Sequence, residues 1–144
     1  MAKILVVDDE RSIRNSMKEV LEFEGHVVTL AEDGETGLKE AEKEQFDLVF
    51  SDIKMPKMDG IELLAKMRQL QPSTKMILIS GHGTIETAVQ CMRNGAFDFI
   101  EKPMNLNRLL QAVKEAMSSN STESSNLRAA ISNGVKKATG GVVD

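Results

Sequence analysis

Short apolar runs alternate with segments of helical periodicity along most of this sequence. The apolar runs have strand length, and they predict strands at residues 4–7, 27–30, 48–50, 76–79 and 97–100. Between them apolar residues recur every three or four positions, which predicts helices at residues 11–24, 35–44, 61–70, 84–93 and 105–117. This alternation predicts an α/β fold with helices on both faces of a parallel sheet.

Several predicted helices end at residues that are typical of helix termini. Gly25 follows the first helix and Gly95 follows the fourth, at the position where glycine commonly closes a helix. Pro72 stops the third helix, since the residue before a proline is restricted to extended backbone. One face of the fourth helix is predicted to pack on the sheet, and it consists of Ile85, Ala88, Val89 and Met92.

The chain changes character near its end. Residues 118–144 are rich in Ser, Asn and Gly and contain no aromatic residue. This composition predicts a flexible linker or tail, with at most a weak helix in residues 126–137. The predicted organisation is therefore one domain at residues 1–117 followed by that tail.

Length and charge limit the function classes. A chain of 144 residues with 41% hydrophobic and 28% charged residues can bury one core. Its net charge of −4 argues against direct nucleic-acid binding, which rewards basic surfaces. The single cysteine, Cys91, excludes an internal disulfide and a cysteine-based zinc cluster. Neither a signal peptide nor an apolar run of membrane-spanning length occurs, which predicts a cytoplasmic protein with no membrane contact.

Charged and polar residues follow four of the predicted strands. Asp8 and Asp9 come after the first strand, Asp52 after the third, Ser80 after the fourth and Lys102 after the fifth. Function gathers at the carboxyl ends of the strands in a doubly wound sheet. If the first and third strands are neighbours, three carboxylates converge there.

Converging carboxylates repel one another unless a cation compensates them. Mg²⁺ prefers oxygen ligands and suits a site with few protein ligands, and the Lys102 ammonium is a second source of positive charge. The Ser80 hydroxyl completes a set that fits a phosphoryl group, with one carboxylate as the nucleophile. Each residue alone is typical of a turn or a helix cap, but their conjunction favours a functional site.

With these residues in place, the sequence resembles the receiver domain of bacterial two-component response regulators, over roughly residues 2–117. The motifs that carry the resemblance are VVDDE at residues 6–10, SDIKMPKMDG at 51–60, ISGHG at 79–83 and GAFDFIEKP at 95–103. Residues 81–88 also resemble receivers of enhancer-binding transcription activators of the nitrogen-regulation type. The resemblance implies a flavodoxin-like (βα)5 fold with strand order 2-1-3-4-5.

The resemblance also implies a function and a metal site. Asp52 would accept a phosphoryl group from a sensor histidine kinase or a phosphotransfer protein. Mg²⁺, for which Mn²⁺ can substitute, would bind to the carboxylates of Asp8, Asp9 and Asp52 and to the backbone carbonyl of Lys54. The chain would catalyse only its own phosphorylation and dephosphorylation.

Further roles follow from the same resemblance. Lys102 and Ser80 would bind the phosphoryl oxygens, and the Lys102–Pro103 peptide bond would be cis. Ser80 and Phe99 would move together as a switch that alters the face formed by the fourth helix, fifth strand and fifth helix. An output domain or partner protein would read that face, and homodimer formation is left open.

Two positions are expected to tune the lifetime of the phosphorylated state. Lys54 and His82 lie two residues beyond Asp52 and Ser80, and in this family such positions flank the path of the hydrolytic water. The hypothesis is that both side chains set the dephosphorylation rate. For His82, an exposed loop residue without a role is an equal alternative.

Three rival functions fit parts of the pattern. A Mg²⁺-dependent phosphatase with an aspartyl-phosphate intermediate would place Asp-x-Asp after the first strand, whereas here the acids are adjacent. A flavin-binding module would carry a phosphate loop there instead of acids. A degenerate receiver that serves only as a scaffold would not need the complete set of acids, hydroxyl and lysine.

Overall fold

The structure, a computed structural model, describes residues 1–118. Strands and helices alternate along this part of the chain. The strands are β1 (Lys3–Val7), β2 (Val27–Ala31), β3 (Leu48–Asp52), β4 (Lys75–Ser80) and β5 (Asp98–Glu101). The helices are α1 (Arg11–Phe23), α2 (Gly34–Lys43), α3 (Gly60–Leu70), α4 (Ile85–Arg93) and α5 (Leu106–Ser118). The predicted tail lies outside the described residues except for Ser118, which belongs to α5.

The five strands form one parallel sheet in the order β2-β1-β3-β4-β5. This is the predicted flavodoxin-like order, and the prediction is confirmed. The register pairs Val7 with Ser51 and Ser80 with Glu101. The carboxyl ends of β1 and β3 are therefore neighbours.

Apolar side chains cover both faces of the sheet. Alternate residues of each strand point to opposite sides, so Leu5 and Val49 enter one core cluster while Val6 and Phe50 enter the other. All five residues of β3 are buried. This central strand is a rigid support for Asp52 at its end.

Local signals set most helix boundaries. Asp33, Asp59 and Thr84 cap α2, α3 and α4, since the side chain of each accepts a hydrogen bond from a backbone N–H of the first turn. Gly25 and Gly95 adopt φ values of 92° and 101° after α1 and α4, in the left-handed region that favours glycine. Within residues 1–118, no helix is both long and apolar enough to cross a membrane.

The sequence-based boundaries differ from the structure at functional positions. Asp52 and Ser80 lie inside β3 and β4 rather than just after them, while β5 begins at Asp98 instead of residue 97. The prediction that Ile85 packs on the sheet is wrong, because its side chain is 80% exposed. The buried residues of α4 are Cys91 and Met92 in its last turn, so the first turn lies outside the core.

Candidate functional site

Three carboxylates meet at the carboxyl edge of the sheet. Asp8 follows β1, Asp9 is the next residue, and Asp52 ends β3 on the adjacent strand. One carboxylate oxygen from each lies within 4.8 Å of the others. Asp8 and Asp52 are only 1% and 6% exposed, whereas Asp9 is open to solvent. We call these three residues the acidic cluster.

The ammonium group of Lys102 reaches the acidic cluster from β5. Its Nζ lies 3.2 Å from Oδ2 of Asp52 and 3.3 Å from Oδ2 of Asp8. A third carboxylate, that of Glu10, is 3.9 Å away. The backbone N–H of Lys102 donates to the carbonyl of Ser80, and the Lys102–Pro103 peptide bond is cis. One ammonium group therefore interacts with three carboxylates at the end of β5.

The electrostatics of the site reflect an excess of negative charge. Burial raises the pKa of the Asp52 carboxyl, the nearby Asp8 charge raises it further, and Lys102 only partly opposes them. Burial lowers the pKa of Lys102, but Asp8 and Asp52 together outweigh it and the net pKa is raised. Additional positive charge would stabilise the ionised form of Asp52. Carboxylate oxygens at these separations suit a hard divalent cation.

Ser80 ends β4 next to the acidic cluster, and its hydroxyl is held by its own turn. The backbone N–H of His82 donates to Oγ of Ser80 over 3.1 Å. Ser80 is buried, whereas the His82 side chain is exposed. Lys54, in the loop after β3, is also exposed.

Phe99 in β5 is half-buried and rests against the loop that follows β4. A Cβ atom added at Gly83 would lie 2.7 Å from Cζ and 3.0 Å from Cε1 of the Phe99 ring. Only glycine therefore lets the ring approach this closely. The Phe99 ring is therefore in direct contact with the loop that contains His82, the hydrogen-bond partner of Ser80.

The loop between β3 and α3 folds back on the end of its strand. Lys57 has a φ of 69°, and the N–H of Met58 donates to the carbonyl of Pro56 over 2.8 Å, which is the pattern of a γ-turn. A Cβ atom at Gly60 would overlap the Asp52 carbonyl oxygen. The N–H of Gly60 also donates to the Ile53 carbonyl over 2.8 Å, so the loop is tied to the end of β3.

Sequence reasoning missed Arg14. Its Nη1 donates to the backbone carbonyl of Asp8 over 2.6 Å. The sequence feature that could have indicated this contact is the position of Arg14, one turn into a predicted helix that begins shortly after Asp8 and Asp9. Because arginines are common on exposed helix faces, that signal alone is weak.

The comparisons with known proteins decide the family. Residues 4–114 match the family described as the response regulator receiver domain. The chain belongs to this family. It is a receiver module of two-component response regulators, a class that is phosphorylated on aspartate and binds a divalent metal at its acidic site. The predicted family and function class are confirmed, and the rival phosphatase and flavin-module readings are not supported.

Several of the relatives are transcription regulators. The C4-dicarboxylate transport transcriptional regulatory protein DctD of Rhizobium meliloti is 39% identical over 113 residues, which are 78% of this chain and 25% of that protein. The solved receiver domain of NtrX from Brucella abortus is 40% identical with a TM-score of 0.77, covering 81% of this chain and 99% of that one. The similarity to regulators of the nitrogen-regulation type is thereby confirmed. The chain spans about a quarter of the length of curated relatives such as DctD and NtrX.

A second solved relative carries a phosphorylated aspartate. A response regulator from Burkholderia pseudomallei contains a phosphorylated aspartic acid, a calcium ion and citrate. It is 29% identical with a TM-score of 0.76, covering 90% of this chain and 72% of that one.

Proposed function

We propose that this receiver accepts a phosphoryl group on Asp52 from a sensor histidine kinase or a phosphotransfer protein, with Mg²⁺ as cofactor. The observation that carries this assignment is the environment of Asp52. It lies at the end of the buried central strand, with the oxygens of Asp8 and Asp9 within 4.8 Å and the ammonium of Lys102 at 3.2 Å.

The donor set favours Mg²⁺, and Mn²⁺ can substitute. The proposed ligands are the carboxylates of Asp8, Asp9 and Asp52 with the backbone carbonyl of Lys54, all of them hard oxygens. Asp9 is the most accessible acid, whereas both oxygens of Asp8 already accept hydrogen bonds, from Glu10 and Lys102. Asp9 would thus be the direct ligand, and Asp8 would act mostly through water. When bound, the metal neutralises charge on the carboxylates and the phosphoryl oxygens.

The chemical step uses the Asp52 carboxylate as nucleophile. One of its oxygens forms a bond to phosphorus while the bond between phosphorus and the donor histidine nitrogen breaks, and the electron pair of that bond goes to the nitrogen. The Lys102 ammonium, which lies between the Asp8 and Asp52 carboxylates, binds the phosphoryl oxygens and offsets their negative charge. No further protein catalyst is required, in keeping with an activity limited to the chain's own phosphorylation and dephosphorylation.

The switch begins at Ser80. On phosphorylation the Ser80 side chain rotates toward the phosphoryl group and donates its O–H to the new anion, and this rotation breaks the hydrogen bond that its Oγ accepts from the His82 N–H. The loop at residues 81–84 moves as a result, and Phe99, which rests on Gly83, moves with it. The altered face comprises α4, β5 and α5, and a partner that prefers one state shifts the equilibrium.

We propose that an output domain or partner protein reads this face and that the pathway ends in transcription regulation. The support is the set of related transcriptional regulators, in which the matched residues make up about a quarter of the length. A homodimer of the receiver is a second outcome of the same switch. The acidic charge of the chain supports output through protein contacts, with no direct nucleic-acid contact by this chain.

Intact-mass measurement tests the proposed site. Wild-type protein and the variant Asp52→Asn are incubated with Mg²⁺ and acetyl phosphate, with EDTA in a parallel sample. The expected result is the addition of one phosphoryl group to the wild type in the sample with Mg²⁺ and acetyl phosphate, and no addition in the sample with EDTA. Addition to the variant, or none to the wild type, would overturn the assignment.

A further inference from the structure

The start of α1 is anchored differently from the starts of α2, α3 and α4. Those three helices each have a side chain at the N-cap that accepts a hydrogen bond from the first turn. Glu10, the N-cap of α1, makes no such bond. The connection from β1 to α1, which carries two acids of the acidic cluster, therefore lacks the usual restraint.

Asp8 supplies one substitute restraint from the strand side. Its Oδ1 accepts the backbone N–H of Glu10 over 2.8 Å, two residues along, as in an Asx-turn. This bond couples the direction of the carboxylate to the local backbone. Any rotation of the Asp8–Asp9 peptide thus moves the Asp8 carboxylate and displaces Asp9 at the same time.

Arg14 supplies the other restraint from the helix side. Its Nη1 donates over 2.6 Å to the Asp8 carbonyl, which belongs to the peptide between the two acids. The Arg14 backbone is fixed in turn, because its N–H donates to the Glu10 carbonyl over 3.1 Å. The guanidinium therefore fixes the orientation of the Asp8–Asp9 peptide relative to α1.

We propose that Arg14 is a positioning residue for the metal site, which holds Asp8 and Asp9 in the geometry that binds Mg²⁺. The inference rests on the proposed function of the acidic cluster. Arg14 acts through the Asp8 carbonyl and does not contact the metal. Removing such outer contacts commonly weakens metal binding by 10-fold to 100-fold.

Two effects of Arg14 on metal affinity have opposite signs, which makes the inference testable. As a positive charge near three carboxylates, it disfavours a cation, so its removal would tighten Mg²⁺ binding. As a positioning group, it favours the bound geometry, so its removal would weaken binding. The sign of the change distinguishes these roles.

The matched control is Arg11, the first residue of α1. It is an exposed arginine on the same helix, two residues beyond Asp9. Arg11→Gln removes the same charge at a similar position along the chain. We expect Mg²⁺ binding by this variant to be unaltered or about twofold tighter, because water and salt screen the electrostatic effect of an exposed charge.

The experiment titrates MgCl₂ into the wild type, Arg14→Met, Arg14→Lys and Arg11→Gln by isothermal calorimetry, since the chain has no Trp or Tyr for fluorescence. We expect about tenfold weaker binding in Arg14→Met, and an intermediate value in Arg14→Lys, which keeps one donor. Equal or tighter binding in Arg14→Met would overturn the inference while leaving the metal site intact. Failure of the wild type to bind Mg²⁺ would overturn the metal assignment and this inference with it.

A metal-free measurement separates positioning from general stability. Amide hydrogen exchange without Mg²⁺ should accelerate in Arg14→Met at Glu10, whose N–H bonds to the Asp8 carboxylate, and stay unchanged at Val49 in the buried β3 strand. A uniform acceleration at both amides would contradict a positioning role.

Discussion

The Nζ of Lys102 lies 3.2 Å from Oδ2 of Asp52, although 50 residues separate them in the chain. The same ammonium lies 3.3 Å from Oδ2 of Asp8. One partly buried cation thus compensates two buried carboxylates, and negative charge remains in excess. This imbalance has consequences for stability that can be measured without any phosphoryl donor.

The first prediction concerns Asp52 and pH. Its pKa in the folded protein is raised above the ordinary value of 3.8, so folding favours the protonated form. Its contribution to stability is present below pH 3.8 and is lost as the pH rises through the folded pKa. Asp52→Asn, which resembles the neutral acid, should therefore raise the free energy of unfolding at pH 7 in EDTA.

Urea unfolding across a pH series checks this prediction. The gain from Asp52→Asn should shrink as the pH falls through the folded pKa of Asp52 and vanish below pH 3.8, where residue 52 is neutral in both proteins. Saturating Mg²⁺ should also shrink or reverse this difference, because the wild type keeps the Asp52 carboxylate and binds the metal more tightly than the variant. A destabilised Asp52→Asn at pH 7 in EDTA would contradict the sign.

The second prediction concerns the lifetime of the phosphorylated state. Lys54 and His82 are exposed side chains in the loops that follow β3 and β4. Lys54→Ala and His82→Ala should change the decay rate of the phosphorylated protein severalfold and leave the extent of phosphorylation by acetyl phosphate unchanged. Decay followed by intact mass, with the exposed Lys66→Ala as control, measures the effect; wild-type decay in both variants would refute it.

The third prediction concerns the contact between Gly83 and Phe99. A methyl group at Gly83 would meet the ring at 2.7 Å, so Gly83→Ala should cost about 1–3 kcal/mol of stability through overpacking. The smaller Phe99→Leu should recover most of this cost in the double variant. Gly81→Ala is the matched control, because the atoms nearest its added Cβ lie at 3.8 Å and 3.9 Å. Equal costs at Gly81 and Gly83 would argue against the contact.

The fourth prediction concerns Gln71, a buried side chain at the opposite edge of the sheet. Its Nε2 donates to the carbonyls of Ala41 and Glu44, and its Oε1 accepts from the Phe46 N–H and the Thr74 hydroxyl. Gln71→Leu would remove these bonds from the Phe46 N–H and from the Ala41 and Glu44 carbonyls, whereas the Thr74 hydroxyl keeps the Phe46 carbonyl as a partner. We expect a cost of roughly 3 kcal/mol.

Chemical unfolding of Gln71→Leu beside Gln69→Leu tests the size of this effect. Gln69 is exposed on α3, so its replacement should change stability by less than about 0.5 kcal/mol. Similar costs for the two variants would show that the buried hydrogen bonds contribute little.

The sequence was most informative where structure depends on local pattern. The periodicity of apolar residues indicated all ten elements, because a strand or a helix requires its own repeat of buried positions. Glycines at the ends of α1 and α4 were equally readable, since their backbone conformation is unfavourable for other residues. Ile85 was misread because periodicity predicts which face of a helix is apolar but not how far that helix overlaps the sheet.

By itself the sequence determined that Asp8, Asp9, Asp52, Ser80 and Lys102 stand at strand ends. A strand end is a local property, and parallel strands bring such ends to one edge. Only the tertiary structure decided that Lys102 lies between two carboxylates, that the Ser80 hydroxyl is held by the His82 N–H, and that Arg14 binds the Asp8 carbonyl. Those choices depend on distances between separate elements, and no spacing along the chain encodes them.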